Sequence, residues 1–420
     1  MKSTTSTRLV GALLFLAALS VNAQDFAHRW FTAEDDSGFM FCLGQDRRLG
    51  HVDRTGQFVV RPRSDAAAPE EIWKSFCRQE SEDTRSFHEE MGCAEVGGRW
   101  GYVNDSGKLE ITPQFEDAGP FSEGLAWVKV GGKWGAIGHG GKFAIQPAYE
   151  EATVFRSGYA AVKRDGKWGL VDSSGKAFLP PTYDDVQYFH DGLVAVKSGG
   201  KWGFLAKGGA KAVVDFQFDD ARPFRDGVAA VQRAGKWGFI DSTGAMRVQV
   251  TFDEAFSFCD GRAAVKKDGK WGFIRKTGEF TVEPQFEDAC SYRDGHAAVK
   301  TGGKWGFLNS AGKLTVPAQF DDVWHFKHGF AAVKVDGKWG YCSSAGNKLA
   351  IPAQFDEAWP FHHGLAAVKV DGKWGYIQSN GKFKVPARFD HAWTYNQRGG
   401  VKLNGQWGYV RDDGKVIFGF

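Results

Sequence analysis

The segment GHAAVKTGGKWGFLNSAGKLTVPAQFDDVWHF, Gly295 to Phe326, holds nearly every structural signal that the rest of the chain repeats. Gly302-Gly303 precedes Lys304-Trp305-Gly306. Such a dipeptide suits a type I′ hairpin turn, which needs positive φ at both central residues. Asp165-Gly166, Asp268-Gly269, Asp336-Gly337 and Asp371-Gly372 stand at the same point in other units. A further glycine lies seven residues after each tryptophan: Gly107, Gly141, Gly175, Gly209, Gly244, Gly278, Gly312, Gly346, Gly381 and Gly414. A position held by glycine alone points to positive φ. Between these turns lie Ala297 to Lys300, Lys304 to Phe307 and Lys313 to Pro317. Each is too short for a helix and is bounded by Gly or Pro, so they read as three short strands. Gln319-Phe320-Asp321-Asp322 then makes a corner into the next unit.

Trp-Gly occurs ten times, at Trp100, Trp134, Trp168, Trp202, Trp237, Trp271, Trp305, Trp339, Trp374 and Trp407, with intervals of 33 to 35 residues. Self-similarity at a fixed period overrides any domain count drawn from length. The composition agrees: 15% aromatic residues, Gly 55 and Met 4 suit turn-rich β structure better than helix bundles. The expected fold class is all-β, a tandem array of about ten 34-residue three-stranded units. A lone unit buries little, so each Trp is expected to fill the space between neighbours. The Gly after it is expected to admit a close backbone. An aromatic recurs in the corner: Phe115, Tyr149, Tyr183, Phe218, Phe252, Phe286, Phe320, Phe355 and Phe389.

Leu49 to Gly56 repeats the pattern with leucine in the Trp position, and Asp65 to Glu90 is a charged insertion. Residues 24–97 therefore read as a degenerate capping unit before ten repeats at 98–420. An atypical first unit is what an open array needs. The sequence thus favours an open, curved β-solenoid, with a closed propeller-like ring as the alternative.

The recurring Gly-Lys-Trp-Gly-Phe, Ser-x-Gly-Lys and Gln-Phe-Asp-Asp resemble the WG (KWG) repeats of bacterial proteins, closely over Gly98 to Phe420 and loosely over Phe39 to Gly97. The resemblance implies a β-rich array, often exported, with no activity common to the family. Leu49 for Trp and Asn404-Gly405-Gln406 for the usual Asp-Gly-Lys depart from the pattern, both near the ends of the array.

Residues 1–23 read as a secretory signal peptide. Lys2 and Arg8 form a positive n-region, Leu9 to Ser20 an apolar core, and Val21-Asn22-Ala23 a small-residue cleavage site. The expectation is a periplasmic or extracellular protein with no membrane insertion after cleavage, since no later apolar run is long enough to span a bilayer. Six cysteines fit an oxidising compartment. A Cys77–Cys93 disulfide is the first expectation, with Cys42 as a competing partner, and such a loop closure would add ~3 kcal/mol. No C-x-x-C pair or matching histidine pair has zinc spacing, so no metal or cofactor is expected. The net charge of +3 falls to +1 without Lys2 and Arg8. Acids and bases are interspersed, which argues against nucleic acid as a partner.

In a repeat array, equivalent positions form columns, and three are candidates for function. The first pairs acids: Glu116-Asp117, Glu150-Glu151, Asp184-Asp185, Asp219-Asp220, Asp253-Glu254, Glu287-Asp288, Asp321-Asp322 and Asp356-Glu357. Two carboxylates suit glycoside hydrolysis, but a catalytic pair should be unique, so the expected role is structural: one acid caps the turn and the other meets a lysine. The second column is the lysine before each Trp, from Lys133 to Lys373, read as laying its stem along the ring. The third is irregular. Fifteen residues before the Trp, early units carry Gly119, Thr153, Gln187 and Arg222, and later ones Phe256, Cys290, Trp324 and Trp359, with Trp393 corresponding in the shorter last unit. His325, His328, His362, His363 and His391 crowd the same region.

Phe256, Trp324, Trp359, Trp393, His325 and His362 are therefore the candidate ligand-binding residues. Against them stands ordinary core packing, since aromatics fill cores more often than they bind ligands. No nucleophile elbow, P-loop or zinc-protease helix is present, so the chain reads as no enzyme. A protein partner held along the repeat surface is the leading expectation. An envelope polysaccharide stacked on the aromatic column is the second.

Overall fold

The computed structural model describes residues 40–43, 49–52, 58–60, 89–96, 98–104, 108–207, 211–344, 349–396, 398–404, 406–411 and 413–418. The chain divides into two units, Met1–Glu82 and Asp83–Phe420. In the first, Met40–Leu43, Leu49–Val52 and Phe58–Val60 form a three-stranded antiparallel sheet. The signal peptide, the Asp65 to Glu82 stretch and Cys77 lie outside the described residues, and the expected Cys77–Cys93 bond with them.

The second unit consists of ten sheets in chain order, which we call blades one to ten. Blade three shows the plan. Glu151–Ala152, Tyr159–Arg164, Lys167–Asp172 and Ala177–Tyr183 pair successively and antiparallel. Units expected to have three strands thus have four. The extra strand lies inside what the sequence presented as a corner and spans two residues in blades three and five to nine, and six in blades two, four and ten. Blade one has three strands among the described residues, Met91–Val96, Arg99–Asn104 and Leu109–Phe115. A boundary at 97/98 therefore falls within its first hairpin.

Local chemistry fixes each sheet. Asp165 and Gly166 have φ of 51° and 73°, as a type I′ turn requires. Gly175 has φ 80°, and a Cβ there would also meet the Ile145 side chain of the preceding blade at 3.2 Å. Gly169, after Trp168, has a different task. A Cβ on it would lie 2.5 Å from Leu179 O and 2.7 Å from Pro181 N. The fourth strand bulges across this bare backbone, and the register shift recurs in blade after blade.

The central strands are buried on both faces, which is why Val-Ala-Ala-Val and Trp-Gly-Phe-Ile read as continuous apolar runs. One face packs backward and the other forward. Ala229, Val231 and Ile240 of blade five join Trp202, Phe204 and Phe218 of blade four. Val228, Ala230, Trp237 and Phe239 of the same blade join Phe258, Ala263 and Ile274 of blade six. Each fully buried large side chain contributes roughly 2–3 kcal/mol, so the interfaces between blades hold most of the stability.

The array closes on itself. Tyr376 of blade nine donates its hydroxyl to Gly400 O of blade ten at 3.0 Å. Tyr409 of blade ten makes the same contact with Cys93 O of blade one at 2.6 Å. Both tyrosines stand two residues after a Trp, and both acceptors seven before one. Ala94 and Val103 of blade one pack with Tyr409 in one core cluster. The seam is an ordinary blade interface, so the architecture is the closed ten-bladed propeller, not the open solenoid. The physical reason is that a sheet buried on both faces leaves no apolar face exposed once the first blade meets the last.

Candidate functional site

The paired acids tie the ring together. The first acid of each pair lies between blades, and where it is an aspartate it accepts from both sides. Asp184 receives Lys167 Nζ of blade three at 2.6 Å and Gly200 N of blade four's turn at 2.9 Å. Glu116 and Glu287 each accept two turn amides, Gly131 and Gly132, and Gly302 and Gly303. These bonds hold the carboxyls below their ordinary range. The lysine is the largest cause at Asp184, Asp219, Asp253, Asp321, Asp356 and Asp390, and the turn amide at Glu116, Glu150 and Glu287. Where the second acid is glutamate it meets another lysine, as in Lys163–Glu151 at 2.7 Å and Lys369–Glu357 at 2.6 Å.

That lysine corrects one sequence reading. The cation over the tryptophan in most blades is not its chain neighbour but its cross-strand partner, five residues earlier: Lys163 over Trp168, Lys300 over Trp305, Lys369 over Trp374. The neighbouring lysine points away to the acid of the next blade. Strand alternation dictates this, because adjacent residues face opposite sides.

The irregular column sits two residues into the first strand or just after it, and in several blades it covers the repeat tryptophan of its own blade. Arg222 lies 4.6 Å over Trp237, Phe256 packs 4.7 Å from Trp271, and Trp359 lies 6.4 Å from Trp374. Phe256 is 0% exposed. It fills the core and faces no ligand, because its ring is sealed against the Trp271 indole. His362 is 5% exposed and is likewise withdrawn as a surface contact. Trp324, Trp359 and Trp393 are half-buried. The Trp324 and Trp359 rings stand 5.7 Å apart across the boundary of blades eight and nine. His391 then stacks on Trp374 at 5.8 Å and on Trp393 at 4.2 Å. The result is a ladder of rings through blades eight to ten. His325 accepts Arg293 NH1 at 3.0 Å, and desolvation, then Arg293 and Lys327, hold it well below the ordinary imidazole range.

A fourth column escaped the sequence reading although it is visible there, eleven residues before each Trp. It runs Glu89, Glu123, Ser157, Asp191, Asp226, Asp260, Asp294, His328 and His363. Each occupies the first position of a two-residue turn with positive φ. Its carboxylate accepts an amide from the corresponding turn of the next blade. Asp191 takes Gly227 N at 2.8 Å, Asp260 takes Gly295 N at 3.0 Å, and Asp294 takes His328 N at 2.9 Å. The acids are interrupted at Ser157 and end at Asp294, before His328.

A model of the WG containing repeat matches residues 100–134, 134–168, 168–202, 210–237, 237–271, 271–305, 305–339, 339–374 and 374–407. The chain belongs to the WG repeat family. No curated protein matches it. Among solved structures, this WG repeat ring is similar to a eukaryotic initiation factor at 14% identity, with TM-score 0.48 over 70% of this chain and 95% of that one. It is similar to Hsv2p of Kluyveromyces lactis at 12% identity, with TM-score 0.32 over 61% and 94%. PorZ, a surface component of the type-IX secretion system of Porphyromonas gingivalis, matches at 12% identity, with TM-score 0.28 over 80% and 51%. No function is transferred from these likenesses.

Proposed function

We propose that this WG repeat protein is an exported, non-enzymatic scaffold of the bacterial envelope that holds a protein partner on blades seven to ten. One observation supports this most. The regular columns are used up by the ring itself, as turn caps and inter-blade ties, whereas the departures from regularity gather in one sector. The Trp324–Trp359 ladder and the exposed His328 and His363 both belong to it. Half-buried aromatic rings beside basic groups are the usual make-up of a protein contact.

The test is a photo-crosslinking residue at Trp324, compared with the same residue at Gln187, the equivalent position of blade four, in cells exporting the protein. The reading expects discrete protein adducts from the first position and none from the second. Equal yields from both, or none from either, would refute it.

The ladder also favours a second reading, in which sugar faces stack on the indoles and the protein binds envelope polysaccharide. Co-sedimentation with purified peptidoglycan, lost in a triple Trp324→Leu, Trp359→Leu, Trp393→Leu variant with intact far-UV circular dichroism, would support that reading in place of the first.

A further inference from the structure

The ring carries its own record of what binds a turn amide. In blades two, three, five, six, seven and eight, one turn amide donates to a carboxylate of the blade before: Gly124 N to Glu89, Gly158 N to Glu123, Gly227 N to Asp191, Gly261 N to Asp226, Gly295 N to Asp260 and His328 N to Asp294. Blade nine breaks the series. Its turn is His363-Gly364, with φ of 44° and 80°, and the residue that should reach it is His328, which brings no carboxylate. His363 N and Gly364 N have no acceptor among the described residues. Two successive amides in left-handed conformation form a concave donor pair that takes an anion.

The surroundings have the matching charge. The His328 ring lies 6.2 Å from His362 and 6.4 Å from His363. The charges acting on His362 are those of Lys327, His328, His363 and Arg293, and on His325 those of Arg293, Lys327 and His362. Each of these is a basic group. His328, His363 and Gly364 are exposed, so the place is open to solvent. The turn of blade four also has no carboxylate acceptor among the described residues, since Ser157 precedes it, but it carries Asp191 where blade nine carries His363.

We infer that the turn of blade nine, with Lys327 and His328, is a binding site for an oxyanion, a carboxylate or phosphoryl group standing where the other blades place an Asp or Glu side chain. The inference is independent of the protein-scaffold reading, because it concerns a small ligand and is tested with one.

The experiment titrates the purified protein with citrate and with inorganic phosphate at constant ionic strength, by calorimetry. Wild type is expected to bind one or both saturably, one per chain. Citrate would identify a carboxylate source and phosphate a phosphoryl source, and either supports the site. His328→Asp restores the internal carboxylate and is expected to weaken binding by at least about tenfold, the loss of one charge-assisted contact. Lys327→Ala is expected to weaken it similarly. Ser157→Asp makes the same repair at blade four and leaves binding unchanged. Absence of saturable binding of both probes to wild type would overturn the inference. So would binding that survives unchanged in a folded His328→Asp protein.

Discussion

Acidification tests the packing of blades eight and nine through His362. Burial is the largest cause that lowers this imidazole, with Lys327, His328, His363 and Arg293 adding to it, from 6.5 to about 3. Between these values the unfolded chain binds a proton that the folded chain refuses. Stability is therefore full above pH 6.5 and falls as the pH drops toward 3. From pH 7 to pH 5 the loss from this one group is about 2 kcal/mol by proton linkage. The acids that cap turns act lower, because their folded values lie beneath the ordinary 3.8 to 4.5 and their contribution goes only as pH falls through those depressed values. The window from 7 to 5 thus isolates histidine. Urea unfolding of wild type and His362→Gln at both pH values reads the effect. The wild type should lose about 2 kcal/mol more than the variant, with an unchanged m-value. Parallel losses would show that the imidazole titrates freely, and that the reasoning about its burial is wrong.

Other consequences concern the fold directly. Gly272→Ala forces a Cβ to 2.6 Å from Val282 O and should cost about 3 kcal/mol or more in urea unfolding. Gly269→Ala, at φ 78° with open space around it, should cost only about 1–2 kcal/mol. Phe256→Ala should lose about 3–5 kcal/mol, as a sealed core residue does, and a loss under about 1 kcal/mol would return it to the surface candidates. Tyr409→Phe deprives Cys93 O of its donor and should speed hydrogen exchange in blades one and ten before the rest, while a uniform change would deny that the two blades touch.

The sequence disclosed whatever one unit determines alone. The Asp-Gly and Gly-Gly turns, the glycine seven residues after the Trp and the bare backbone after it are local demands, met within a blade or against its neighbour. The two-residue strand was hidden because Glu151-Ala152 has no periodicity to detect. The cation over the tryptophan was misassigned because a chain neighbour was preferred to a cross-strand partner. Closure was illegible for a different reason. Tyr409 and Cys93 use the same chemistry as every internal boundary, so nothing at either end marks them as a seam. Within the candidate site, the crowding of Trp and His was visible, but not which rings are sealed. Phe256 and Trp324 share a column, and only their neighbours make one buried and the other half-open.

A closed ring is the claim on which the rest stands, and a distance across the seam tests it most directly. Spin labels introduced through non-natural amino acids at Lys108 and Lys415, equivalent positions of blades one and ten, avoid the native cysteines. Double electron–electron resonance would compare that pair with Lys382 and Lys415, which sit on adjacent blades nine and ten. A closed propeller predicts the same distance distribution for both pairs. A seam distance far longer than the neighbouring one would mean an open array, and would contradict the account.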